Sequence, residues 1–93
     1  MFTWLNKQGV KSSKGFIVQS IARFVMEYRE AEKCISIEVE SDYGPGRKPI
    51  EKIRMDAISK WDDGTPITKE KQEEIIRNFI DAMEFQGVGV VVE

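Results

Sequence analysis

The chain has 93 residues, 41% of them hydrophobic and 32% charged, which describes one globular domain over residues 1–93 and excludes a disordered chain. A formal charge of −2, from 14 Lys+Arg against 16 Asp+Glu, is no signature of nucleic-acid binding, since phosphate recognition needs a basic surface. No histidine is present, which removes the commonest neutral-pH base and the commonest zinc ligand.

From the N-terminus, Phe2, Trp4 and Leu5 are apolar enough to tuck against a core, whereas the polar stretch 6–15, with its glycines and serines, reads as loop. Gly15 to Ile21 is rich in β-formers and predicts a strand. In Arg23–Arg29 the residues Phe24, Met26 and Tyr28 share one face, and Glu30–Lys33 forms a polar turn. The clearest alternation follows: Ile35, Ile37 and Val39 inward, Ser36, Glu38 and Glu40 outward. These two segments predict a hairpin.

Residues 43–49, with Gly44-Pro45-Gly46, read as a turn or loop. Ile50–Ala57 predicts another strand with Ile53 and Met55 on one face, and Ile58 and Trp61 pack beyond it. Asp62–Pro66 is a turn. Thr68 is placed to cap a helix whose stripe is Ile75, Ile76, Phe79, Ile80, Ala82 and Met83, with Lys71, Glu74, Arg77, Asn78 and Asp81 opposite and Gly87 just past the end. Val88–Val92 is a terminal strand. The fold class is α+β: a mostly antiparallel β-sheet with one amphipathic helix packed on a face, in the order ββββ-α-β.

Chemistry is sparse. Cys34 alone permits no internal disulfide and reads as buried and inert, which fits a reducing compartment. The N-terminus lacks a signal-peptide pattern, and no apolar run approaches the roughly 18 residues of a membrane span. A cytoplasmic location without membrane contact is expected. Neither Asp62-Asp63 nor Glu38 with Glu40 has the ligand ladder of a calcium loop, and no phosphate-binding glycine motif occurs. Lys11-Ser12-Ser13-Lys14 reads as loop rather than a Ser–Lys pair. The expectation is a non-enzyme with no cofactor, no metal and no nucleic-acid partner.

The charge is uneven. Lys7, Lys11, Lys14, Arg23, Arg29 and Lys33 outweigh Glu27, Glu30 and Glu32 to give +3 over residues 1–33, leaving −5 for the rest. Acidic groups recur near edges and turns, at Glu38, Glu40, Asp42, Asp62 and Asp63, with Tyr43 and Trp61 beside them. Aromatics ringed by charge suit a protein-binding surface. Trp61 reads equally as a core plug.

The motifs Phe2-Thr3-Trp4-Leu5-Asn6-Lys7-Gln8-Gly9-Val10, Gly15-Phe16-Ile17-Val18, Trp61-Asp62-Asp63-Gly64 leading through Pro66-Ile67 to Ile75-Ile76, and Phe85-Gln86-Gly87 before the valine-rich end carry a resemblance. The chain resembles the immunity proteins of bacterial contact-dependent growth inhibition and related polymorphic toxin systems. The resemblance implies an antitoxin: a cytoplasmic inhibitor that covers the active site, or a neighbouring surface, of a cognate toxin domain, often a nuclease with a basic cleft. An acidic inhibitor then mimics phosphate. The family supplies no interface motif, so charge and position alone nominate Glu38, Glu40, Asp42, Tyr43, Asp62 and Asp63 for toxin binding. The alternative is a non-enzymatic adaptor or homo-oligomeric assembly subunit, such as a homodimer formed through a strand edge.

Overall fold

The computed structural model describes all 93 residues, Met1–Glu93. Five strands come first: β1 (Phe2–Asn6), β2 (Gly9–Ser12), β3 (Phe16–Ala22), β4 (Val25–Glu30) and β5 (Lys33–Glu38). They pair antiparallel in chain order as one meander. A second, three-stranded sheet holds β6 (Glu40–Tyr43), β7 (Pro49–Ile53) and β8 (Gly89–Val92), with β6 antiparallel and β8 parallel to β7. The helix α1 (Lys69–Phe85) supplies the crossover that a parallel β7–β8 pair requires. The class is α+β and mostly antiparallel with one α-helix, as expected. The order is finer than ββββ-α-β, since seven strands precede α1.

Period-two patterning builds the meander. Val10, Val18, Tyr28 and Ile35 stand opposite one another across four strands, and all are buried. Met26 and Ile37 form the next buried pair, so the predicted hairpin of β4 and β5 is present with Ile35, Ile37 and Val39 inward. Its turn places Ala31 at φ 54°, a conformation that favours glycine. The chain passes from β5 to β6 through the single residue Val39, whose side chain is buried and whose N–H donates to the Phe24 carbonyl at 2.9 Å.

Helix α1 begins where the sequence placed it. The Thr68 Oγ1 accepts from the Lys71 N–H at 3.1 Å, and Gly87 takes φ 83° just beyond the end. Its stripe of Ile75, Ile76, Phe79, Ala82 and Met83 is buried in the same core as Phe16, Tyr28, Ile53, Ile58 and Trp61. Burying a side chain such as Phe79 contributes about 1.5–3 kcal/mol. Trp61 is a core residue, stacked on Tyr28 with ring centroids 6.4 Å apart.

Four expectations are corrected. The stretch 6–15 is not loop: it contains the end of β1 and all of β2, which its only branched aliphatic residue, Val10, anchors in the core. Trp4 and Leu5 do not tuck in; Trp4 is 54% exposed. Phe24 is not on the inward face of β4, because it sits in the β3–β4 turn at φ 64°, 51% exposed, with the Arg23 Cζ 5.0 Å from its ring centre. The strand expected over 50–57 stops at Ile53 and gives way to a 3-10 turn, Met55–Ala57, which turns Met55 outward. One polar position also departs from the pattern. Asn78, assigned to the solvent face, is 8% exposed and donates to the Tyr28 hydroxyl at 3.0 Å.

Candidate functional site

The six nominated residues fall into two groups. Glu38, Glu40, Asp42 and Tyr43 run along the end of β5 and the whole of β6, all exposed. Alternation puts Glu40 and Asp42 on one face of β6 and Tyr43 on the other, where Tyr43 is 69% exposed. Asp62 and Asp63 lie apart from these, in the turn beside Lys33 and Ser36.

Glu38 and Glu40 border an open groove of about 820 Å³ at the junction of the two sheets. Lys52 and Arg54 of the β7 side, Asp56 and Glu93 complete its charged lining, with Val39 and Met55 as its apolar part. The cations there are already engaged. Arg54 donates to both carboxylate oxygens of Asp56, at 3.1 and 2.8 Å, and Lys52 pairs with Asp42 at 3.3 Å. Asp42 also accepts from the Tyr43 N–H, and that bond first, then Lys52, holds its carboxyl below the usual range. Glu38, Glu40 and Glu93 make no ion pair within 4 Å, although Lys52 stands opposite Glu40 across the β6–β7 ladder and the Glu93 charge acts on Arg54, so the groove holds four carboxylates against two cations.

Asp62 and Asp63 are committed within the chain. The Asp62 N–H donates to the Cys34 carbonyl at 2.9 Å, and its carboxylate accepts from the Ser36 N–H at 3.1 Å and the Ser36 hydroxyl at 3.0 Å. Asp62 thereby acts as a short strand against the outer edge of β5 and satisfies backbone groups that an open edge would leave to another chain. Asp63 pairs with Lys33 at 2.8 Å and accepts from the Thr65 N–H at 2.8 Å. Lys33 foremost, then Thr65, holds its carboxyl well below the carboxylate range. Of the six, therefore, Glu38 and Glu40 share one site, Asp42 and Tyr43 extend it along β6, and Asp62 and Asp63 belong to the turn architecture.

Sequence reasoning missed Lys52, Arg54, Asp56 and Glu93 as neighbours of Glu38 and Glu40. The spacing of Arg54 and Asp56 was a local cue to an ion pair, but their approach to β5 depends on how the two sheets meet. Phe24 was also missed as an exposed aromatic, because alternation continued through the turn assigned it to the core.

Cys34 is half-buried, its thiol 3.8 Å from the Asp62 carboxylate, and partial burial first, then the Asp62 charge, raises it above the ordinary thiol range. No three His, Cys, Asp or Glu side chains gather to hold a metal ion. No helix is long and apolar enough to cross a membrane. The hollow beside Trp61 holds Lys33 and Lys71, both already paired with carboxylates. What the groove can do is accept cationic side chains from outside. Compared with known proteins, the chain matches no family model, no curated sequence and no solved structure.

Proposed function

We propose that the chain is an immunity protein that binds and neutralises a cognate toxin domain in the cytoplasm, by covering its active site or a neighbouring surface. The observation that carries this reading is the groove in which Glu38, Glu40, Asp56 and Glu93 outnumber Lys52 and Arg54, with Glu38 and Glu40 making no ion pair, beside the exposed strand β6. Unpaired carboxylates on a built surface favour a basic partner and speed its encounter at low salt. A nuclease cleft, lined with lysine and arginine to hold phosphate, is such a partner. Tyr43 supplies an aromatic contact at the far end of β6.

The test is co-expression of the tagged chain with the product of the neighbouring gene. The expected result is a one-to-one complex with the C-terminal domain of a large secreted protein, together with rescue of growth. Replacing both groove acids (Glu38→Lys, Glu40→Lys) is expected to weaken that complex at least tenfold and flatten its salt dependence. Recovery of the chain without such a partner overturns the reading, and unchanged affinity in the double variant removes the groove from it.

A further inference from the structure

Four strand edges bound the two sheets, and they are treated differently. Asp62 closes the outer side of β5 at Cys34 and Ser36, and β6 carries Glu40 and Asp42, charges that discourage pairing. β8 is mostly half-buried and lies against α1. β1 has neither device. Its sequence Phe2-Thr3-Trp4-Leu5-Asn6 contains no charge and no proline, and it pairs only with β2.

The register shows which backbone groups β1 leaves open. The Ser13 N–H donates to the Met1 carbonyl at 2.8 Å, so Met1 and, two residues on, Thr3 face β2 with their hydrogen-bonding groups. Phe2 and Trp4 then direct their N–H and C=O groups away from the sheet. Their side chains lie on the core face, where Phe85 meets Phe2 at 5.4 Å and Trp4 at 5.9 Å between ring centroids. Phe85 is itself 45% exposed.

We infer that β1 pairs antiparallel with β1 of a second copy of this chain, about a twofold axis at Thr3, joining two five-stranded sheets into one. In that register Phe2 faces Trp4 of the second copy and Trp4 faces its Phe2, and each pair exchanges both backbone hydrogen bonds. Every open group at Phe2 and Trp4 is thereby satisfied. Aromatic cross-strand pairs form on one face and a β-branched Thr–Thr pair on the other, both favourable combinations. The bulge at Leu5 ends the pairing on each side. Lys11, opposite Thr3 on β2, stays three strand spacings, about 14 Å, from its twofold mate, beyond the screening length at physiological salt.

The available area sets the strength. Trp4 and Phe85 keep roughly half of the 150–250 Å² that such rings carry open, and Leu5 and the strand backbone add to it. Doubled over two copies the rings give roughly 300–500 Å², and Leu5 with the strand backbone keeps the total under about 1,000 Å², below the standard range, so the dimer is a weak one that needs high concentration. The pairing shares no residue with the Glu38–Glu40 groove and stands or falls separately from the inhibitor reading.

Sedimentation of the chain between about 5 μM and 1 mM tests it. The weight-average mass is expected to climb from 10.7 kDa toward twice that value. Thr3→Lys, which sets two like charges on the axis, is expected to raise the dimer dissociation constant at least tenfold. In a Cys34→Ser background, Thr3→Cys is expected to form an intermolecular disulfide under mild oxidation at least tenfold faster than Asn6→Cys, because facing residues of a non-hydrogen-bonded pair lie within disulfide reach. A constant monomer mass up to 1 mM overturns the proposal. So does a dimer that Thr3→Lys leaves intact or that cross-links equally well through Asn6→Cys.

Discussion

The two sheets of this molecule divide its labour unequally. The meander carries Val10, Phe16, Val18, Met26, Tyr28, Ile35 and Ile37 into the core, while among β6, β7 and β8 only Ile53 is fully buried. β6 buries nothing at all. Stability therefore resides where the meander meets α1, and the acids of the charged groove, Glu38 at the end of β5 and Glu40 on β6, are exposed side chains that the core does not constrain. A binding surface can change there without cost to folding, since surface substitutions away from packed features stay within about 0.5 kcal/mol.

Phe79→Ala strikes the meander–helix contact directly and is expected to cost about 3–5 kcal/mol, enough to unfold much of the population, as read by urea denaturation. A loss below about 1 kcal/mol would mean that α1 is not the principal cover of the meander.

A smaller effect tests the polar tie across the same contact. Tyr28 donates to Glu30 at 2.7 Å, and Lys71 of α1 donates to the same carboxylate at 2.6 Å. Burial alone would raise Glu30, but the bonds from Lys71 and Tyr28 outweigh it and hold the carboxyl below its usual range. A depressed carboxyl contributes stability that is present above the unfolded-state value of about 4.3 and disappears as pH falls through the folded value. Glu30→Gln is therefore expected to be less stable than the parent at pH 7 and to lose less stability on acidification from pH 6 to pH 3. Identical acid slopes for the two proteins would remove Glu30 from that role.

The smallest expected effect lies at the groove, where Glu38 ends β5 and Glu40 begins β6. Glu38→Gln and Glu40→Gln are expected to leave the denaturation midpoint unchanged within error. Amide exchange sharpens the contrast further, with β4 and β5 amides protected to the global limit and those of β6 exchanging through local opening. Equal protection of the two sheets would erase the division drawn above.

Elements that combine strong periodicity with a chemical punctuation mark were legible in the sequence. The β4–β5 hairpin announced itself through Ile35, Ile37 and Val39, and α1 through its stripe, Thr68 and Gly87. Strand β2 was illegible because Gly9-Val10-Lys11-Ser12 offers one branched aliphatic side chain, and what makes it a strand is pairing on both sides. Gly9 reads as a breaker, yet it serves close approach: a Cβ there would meet the Gln19 Cβ at 2.4 Å. Asn78 looked solvent-facing because its partner, the Tyr28 hydroxyl, lies 50 residues away. For the site, the acidic run from Glu38 to Asp42 was visible as composition. The separate commitment of Asp62 to the edge of β5 was not, because it depends on long-range pairing.

The one-residue passage at Val39 has a consequence for any ligand of the groove. Flanked by two strands, buried and bonded to the Phe24 carbonyl, Val39 leaves no hinge between Glu38 and Glu40. The spacing of the two backbone positions is thus set by a buried, hydrogen-bonded residue before anything binds. A partner that meets this pair has little main-chain entropy to remove, and its own cationic groups must come to that spacing rather than the reverse.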